Sequence, residues 1–117
     1  SCMPSNEGVT VLITSNQIGR GNEELGKILI KGFLFSMTEL PVPPKAVIFM
    51  NSGVHLVAEG SNTVEDLRTL SAKGTKVLSC GTCLNFYSLM DKVAVGEVTD
   101  MFGIVSLLSS AARLITL

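Results

Sequence analysis

Lys76-Val77-Leu78-Ser79-Cys80-Gly81-Thr82-Cys83-Leu84-Asn85-Phe86-Tyr87-Ser88-Leu89-Met90-Asp91 places two thiols where one chain pattern gives way to another. Residues 76–79 read as a short buried strand, and from Leu84 an apolar periodicity predicts a helix over about 83–90. Cys80 and Cys83 therefore fall at a strand-to-helix junction. Amide N–H groups at a helix start lack intrahelical partners and carry partial positive charge. A thiolate facing them is stabilised, and a thiol pKa there can drop from ~8.5 to roughly 3.5–7.5. Cysteine is also among the most buried residue types and often only packs. For a pair with Gly81 between the thiols, reactivity is the reading carried forward.

Working outward, the same strand-and-helix alternation recurs. Residues 9–14 are β-branched and apolar on both faces, as in a parallel strand covered on both sides. A polar loop from Ser15 to Asn22 follows. A helix opens near Asn22 with Glu23 and Glu24 in its first turn. Its apolar face is read as Leu25, Ile28, Leu29, Gly32, Phe33 and Ser36, and Pro41-Val42-Pro43-Pro44 stops it. Residues 46–50 form a second buried strand, broken by Asn51-Ser52-Gly53. Val54-His55-Leu56-Val57 fits either a strand or a helical turn. Asn62, with Glu65 three residues on, reads as the N-cap of a helix lined by Val64, Leu67 and Leu70, with Gly74 at C′.

After the cysteine pair, Asp91-Lys92 is a turn, and residues 93–95 read as a fourth strand that Gly96-Glu97-Val98 leaves. Thr99 or Asp100 caps a helix with the face Met101, Ile104, Val105, Leu108 and Ala112. Residues 113–117 form a last strand. The expected fold is three-layer α/β/α with a mostly parallel sheet of about five strands. One domain spans 9–117, preceded by a flexible segment or linker remnant over 1–8.

Composition narrows the function. The 117 residues carry a net charge of −1 and include 46% hydrophobic and 5% aromatic residues. No Lys/Arg cluster is present, which argues against nucleic acid as a partner. No apolar run approaches the ~18 residues of a membrane span, and no signal-peptide pattern opens the chain. The mean hydropathy of +0.45 is high for a small soluble chain and is read as core plus subunit interface, hence a homo-oligomer. Three cysteines, Cys2, Cys80 and Cys83, point to a reducing, cytoplasmic setting. Cys2, in a polar start, is given no role.

Parallel sheets bind ligands beyond the carboxyl ends of their strands. That rule gathers Asn16, Gly19, Arg20, Gly21, Asn51, Ser52, Gly53, Gly81, Thr82 and Glu97 onto one rim with the cysteines. Gly19-Arg20-Gly21 hints at an anion held at a helix start, or is simply a turn. His55 is a candidate base or a packed ring. One C-x-x-C and one His do not supply four zinc ligands, so neither metal nor cofactor is expected. A thioredoxin-type reading is weakened by the place of the motif after the third strand and by the lack of a later proline before a strand.

Ile18-Gly19-Arg20-Gly21-Asn22-Glu23-Glu24-Leu25-Gly26, Asn51-Ser52-Gly53-Val54, Glu59-Gly60-Ser61, Cys80-Gly81-Thr82-Cys83-Leu84-Asn85-Phe86-Tyr87 and Val95-Gly96-Glu97-Val98 stand in an order that resembles the YedF-type branch of the DsrE-like sulfur-relay proteins. The resemblance runs from about Val9 to Leu117. It implies a three-layer α/β/α domain that assembles into trimers or hexamers, and the homo-oligomer expected for this chain is a dimer, trimer or hexamer. It also implies sulfane sulfur carried as a cysteine persulfide between donor and acceptor proteins. The branch is described as sulfurtransferase-like and is linked to selenium metabolism. Its longer members carry an N-terminal TusA-like domain, and nothing like it precedes Val9, so the chain is expected to be a fragment or a lone module. The resemblance puts the sulfur on Cys80 and leaves Cys83 as the extra thiol of a C-G-T-C variant, which is read as resolving the persulfide or releasing product by forming a disulfide. Two alternatives stay open: a C-x-x-C dithiol redox protein, and a non-catalytic oligomeric module whose cysteines pack.

Overall fold

The β-branched run that opens the domain is its central strand. In a computed structural model, which describes residues 8–117, the chain runs β1 (Val9–Ile13), α1 (Glu23–Thr38), β2 (Ala46–Phe49), a 3-10 turn (Asn51–Val57), α2 (Val64–Ala72) and β3 (Lys76–Cys80). It continues through α3 (Gly81–Phe86), a short 3-10 turn (Met90–Lys92), β4 (Glu97–Thr99), α4 (Met101–Ser110) and β5 (Arg113–Thr116). The segment 1–7, with Cys2, lies outside the described residues. The strands form one sheet in the order β4-β3-β2-β1-β5, and every pair is parallel. This is the expected three-layer α/β/α architecture.

Strand order decides which helix lies on which face. From β1 to β4 each crossover steps the same way along the sheet, and right-handed crossovers keep their helices on one side. Val9, Val11, Ile13, Val47, Phe49 and Val77 pack there against Ile30 and Leu34 of α1, Leu67 and Leu70 of α2, and Leu84 of α3. The last crossover runs back over the whole sheet to β5, so α4 takes the opposite face. The core beneath it is small: Ile48, Leu78, Cys80 and Ile104.

Several sequence expectations need correction. In α1 the buried residues are Gly26, Ile30, Leu34, Met37 and Thr38. Leu25, Ile28 and Leu29 face outward, each at least 45% exposed. The helix carries two overlapping apolar stripes, and periodicity cannot choose between them. Close approach decides: a side chain at Gly26 would meet Gln17 Cβ at 2.7 Å and the Ile18 carbonyl oxygen at 3.0 Å. Likewise α4 buries Ile104, while Met101 and Val105 are exposed. Asp100 caps α4, accepting from the Gly103 N–H at 2.8 Å. The N-cap of α2 is Thr63, not Asn62. Thr63 is drawn inward because its hydroxyl donates to the Leu56 carbonyl at 2.6 Å.

The fourth strand also shifts. Residues 93–95 are held by the 3-10 turn instead of the sheet: the Ala94 N–H donates to the Val57 carbonyl at 2.8 Å, and Val93 bridges Ala58. The ladder with β3 begins only at Glu97.

The 3-10 turn settles the ambiguous Val54–Val57 segment. It lies so close to β1 that a side chain at Gly53 would stand 2.6 Å from the Ile13 carbonyl oxygen. Gly53→Ala is expected to lower stability by about 1–3 kcal/mol through overpacking against backbone. Gly32, mid-helix in α1 with nothing within 4 Å of an added side chain, is the contrast. Gly32→Ala is expected to raise stability by roughly 0.5–1 kcal/mol. Urea unfolding midpoints of the two variants, at unchanged slope, check both.

Candidate functional site

The carboxyl end of β3 feeds straight into α3, with Cys80 as the extended N-cap residue (φ −69°, ψ 121°). The helix thus starts at Gly81, earlier than its periodicity suggests. Strand alternation points Ser79 to the α1–α2 face and Cys80 to the α4 face. Cys80 is 1% exposed, packed with Ile48, Leu78 and Ile104, and its side chain makes no capping hydrogen bond. The thiol that the resemblance names as carrier therefore does not face an open groove.

Cys83, one turn on, does. It is half-buried and lines an open pocket of about 390 Å³ with Asn51, Thr82, Phe86 and Tyr87. The amide that reaches its sulfur comes from outside α3: the Asn51 N–H donates to Cys83 Sγ at 3.1 Å. Asn51 sits at φ +51°, in the left-handed region. Asn is among the few residues with a side chain that enter this region readily. Tyr87 holds it there by donating its hydroxyl to Asn51 Oδ1 at 3.1 Å. Behind Tyr87, the His55 ring packs edge-on at 4.5 Å between centroids, and Phe86 flanks it at 5.2 Å. Two residues that bear on the thiol were thus missed by sequence reasoning, Phe86 and Tyr87. Their signal was an aromatic pair beginning three residues after the C-x-x-C in a chain with few aromatics.

Burial pushes the Cys83 thiol up, its hydrogen bond with Cys80 adds to that, and the Asn51 amide pulls the other way without reversing it. Cys83 is thus more often protonated at neutral pH than an ordinary thiol. This is opposite to the depressed pKa expected from a helix start.

The other expected rim residues are dispersed. Ser52 and Gly53 serve the backbone: Ser52 Oγ accepts from the Asn16 N–H at 3.2 Å, and Gly53 permits the approach to β1. Gly81 lies at the root of α3, where an added side chain would meet Val98 Cγ1 at 3.3 Å. Asn16 lines a separate cavity of about 590 Å³ with Lys27, Lys31, His55 and Glu59. Gly19, Arg20 and Gly21 lie on an exposed loop and do not line the Cys83 pocket. Glu97 is no rim residue: it pairs with Leu78, two positions before the end of β3, and Thr99 is the residue level with Cys80. Among the described residues no group of three or more His, Cys, Asp or Glu side chains could hold a metal. None of their helices is long and apolar enough to cross a membrane.

No family model matches the chain. No curated protein matches it either. Solved structures do. The ychN protein of E. coli superposes with a TM-score of 0.62 at 16% identity, covering 95% of this chain and 99% of its own. MTH1491, a protein of unknown function from Methanobacterium thermoautotrophicum, gives 0.68 at 18% identity, covering 93% and 97%. Both have the DsrE-like fold, and the likeness shows that fold for this chain.

The thiol assignments predict distinct alkylation behaviour. Labelling by iodoacetamide, followed peptide by peptide, is expected at Cys83 first, with Cys80 labelled far more slowly while the protein is folded. Rate follows the thiolate fraction. A raised pKa therefore means that the Cys83 rate still climbs with pH above the range where an ordinary thiol levels off. A plateau near neutral pH would contradict the burial described.

Proposed function

We propose that this DsrE-like domain carries sulfane sulfur as a persulfide on Cys83, receiving it from one protein and handing it to another in a reducing compartment. The observation that supports this most is a half-exposed thiol in an open pocket, touched by a backbone amide aimed at its sulfur. The same N–H that meets the thiol can meet the more acidic persulfide anion. Charge-assisted hydrogen bonds are shorter and roughly twice as strong as neutral ones. Asn51 is thus the residue that would stabilise the loaded state, and Tyr87 the one that positions Asn51. Thr82 and the exposed ring of Phe86 form the mouth.

The pocket's chemistry bears on the donor. Its five lining residues carry no charge. A small dianion such as thiosulfate would find no cation there, since Arg20 and the lysines lie elsewhere. Sulfane sulfur held on a cysteine, with at most one negative charge that the Asn51 N–H can meet, suits the site better. A TusA-like protein fits this description, and so does a YedF-type role with selenium as an alternative cargo. Mass spectrometry after incubation with a persulfide donor is expected to show a gain of one sulfur mass on the Cys83 peptide. That gain is lost in Cys83→Ser and kept in Cys80→Ser, and thiosulfate alone produces none. If the wild-type chain stays folded and gains no sulfur, the proposal fails.

The exposed side chains support self-association. Leu25, Ile28, Leu29 and Phe35 on α1 and Leu114 and Ile115 on β5 are all exposed, and among the described residues β5 is the last strand of the sheet on its side. A homo-oligomer would cover them. Light scattering at micromolar concentration is expected to give a multiple of the chain mass, and a monomer would count against this reading.

A further inference from the structure

We propose that Cys80 is the second nucleophile of this site, attacking the Cys83 persulfide from within the protein and discharging its outer sulfur as hydrosulfide. The inference rests on Cys83 being the carrier. Three observations carry it further. Cys83 packs against the small core that contains Cys80, so the thiols share an apolar wall. Both are free cysteines, with no disulfide between them. They span the first turn of α3, where helix geometry sets three-residue Cα separations of ~5 Å. Disulfides bridge Cα atoms about 4.4–6.8 Å apart, so the backbone need move little for a bond to form. Cys80 is closed to solvent and to docking thiols. The one electrophile its place in the fold offers it is a sulfur on Cys83.

The step balances as follows. Cys80 gives up its thiol proton and attacks Cys83 Sγ. The Cys80 Sγ–Cys83 Sγ bond forms and the bond from Cys83 Sγ to the outer sulfur breaks. The outer sulfur leaves with the electron pair as hydrosulfide, and the proton from Cys80 goes to it or to water. The sulfane sulfur gains two electrons, and the two thiols lose them in becoming a disulfide. A further turnover requires an external dithiol reductant to reopen the disulfide by thiol–disulfide exchange. Without an acceptor the domain is therefore a persulfide reductase working once per reduction, and with one it is a carrier.

The test loads the reduced chain with an organic persulfide, removes the excess and follows intact mass and free sulfide together. Wild type is expected to gain one sulfur mass and then lose it. It ends two hydrogen masses below the reduced chain, with one equivalent of sulfide released and a Cys80–Cys83 disulfide in the peptide map. Cys80→Ser and Cys80→Ala, both checked for folding by circular dichroism, are expected to hold the sulfur mass and release sulfide at least ten times more slowly. Stable loading of wild type, equal release from the variants, or transfer of the sulfur to the Cys80 peptide without sulfide would each overturn this inference while leaving carriage intact. If no chain gains sulfur, carriage itself has failed and this inference falls with it.

Discussion

The contact on which the site depends is between two stretches of backbone. The 3-10 turn after β2 is pressed onto the end of β1, close enough that only a residue without a side chain fits at Gly53. The Met50 N–H donates to the Ile13 carbonyl at 2.9 Å, and the Gly53 N–H donates back to Met50 at the same distance. With the start of the turn held by these two bonds, Asn51 takes the left-handed conformation. That conformation sends its N–H toward Cys83. Asn enters this region more readily than other residues with side chains, and the surroundings must still hold it there. Here the Tyr87 hydroxyl and the packed turn do so.

Much of the fold could be read from the residues, because the strands are apolar on both faces and the breaks between elements are marked by Pro, Gly and Asn. The parallel alternation followed from these, and so did the N-cap at Asn22, whose side chain accepts from the Leu25 N–H at 2.9 Å. What could not be read was helix rotation. Both α1 and α4 carry apolar residues on more than one stripe, and the buried stripe is chosen by contacts distant in sequence. The fourth strand was misplaced for a related reason: Val93, Ala94 and Val95 have strand propensity, but the 3-10 turn claims their hydrogen bonds first.

The site was legible in part. The sequence showed that the C-x-x-C would lie beyond a strand, yet not which thiol would be reachable. Strand alternation settles that. Because Cys80 is still the last residue of β3, the pleat turns it beneath α4, and the helical turn that follows brings Cys83 round to the pocket. Asn51 was named from its place after a strand. Its use of a main-chain N–H rather than its side chain toward the sulfur depends on a backbone angle that composition does not reveal. The dispersal of Arg20 and Glu97 has one meaning for chemistry: the pocket is neutral, so recognition there must come from shape, aromatic contact and the sulfur itself.

Among the described residues the sheet is unevenly clothed, with three helices on one side and only α4 on the other. Cooperative opening units in proteins differ in free energy, and those with few buried apolar contacts detach first. Within α4 only Ile104 is fully buried, which makes this helix the weakest shingle on the roof. Lifting it would admit oxidants to Cys80 from the rear while the Asn51 turn, moored to β1, keeps its grip on Cys83. The two sulfurs thus answer to different doors, one always ajar and one opened by thermal breathing, and a local loss of order on that side need not disturb the other.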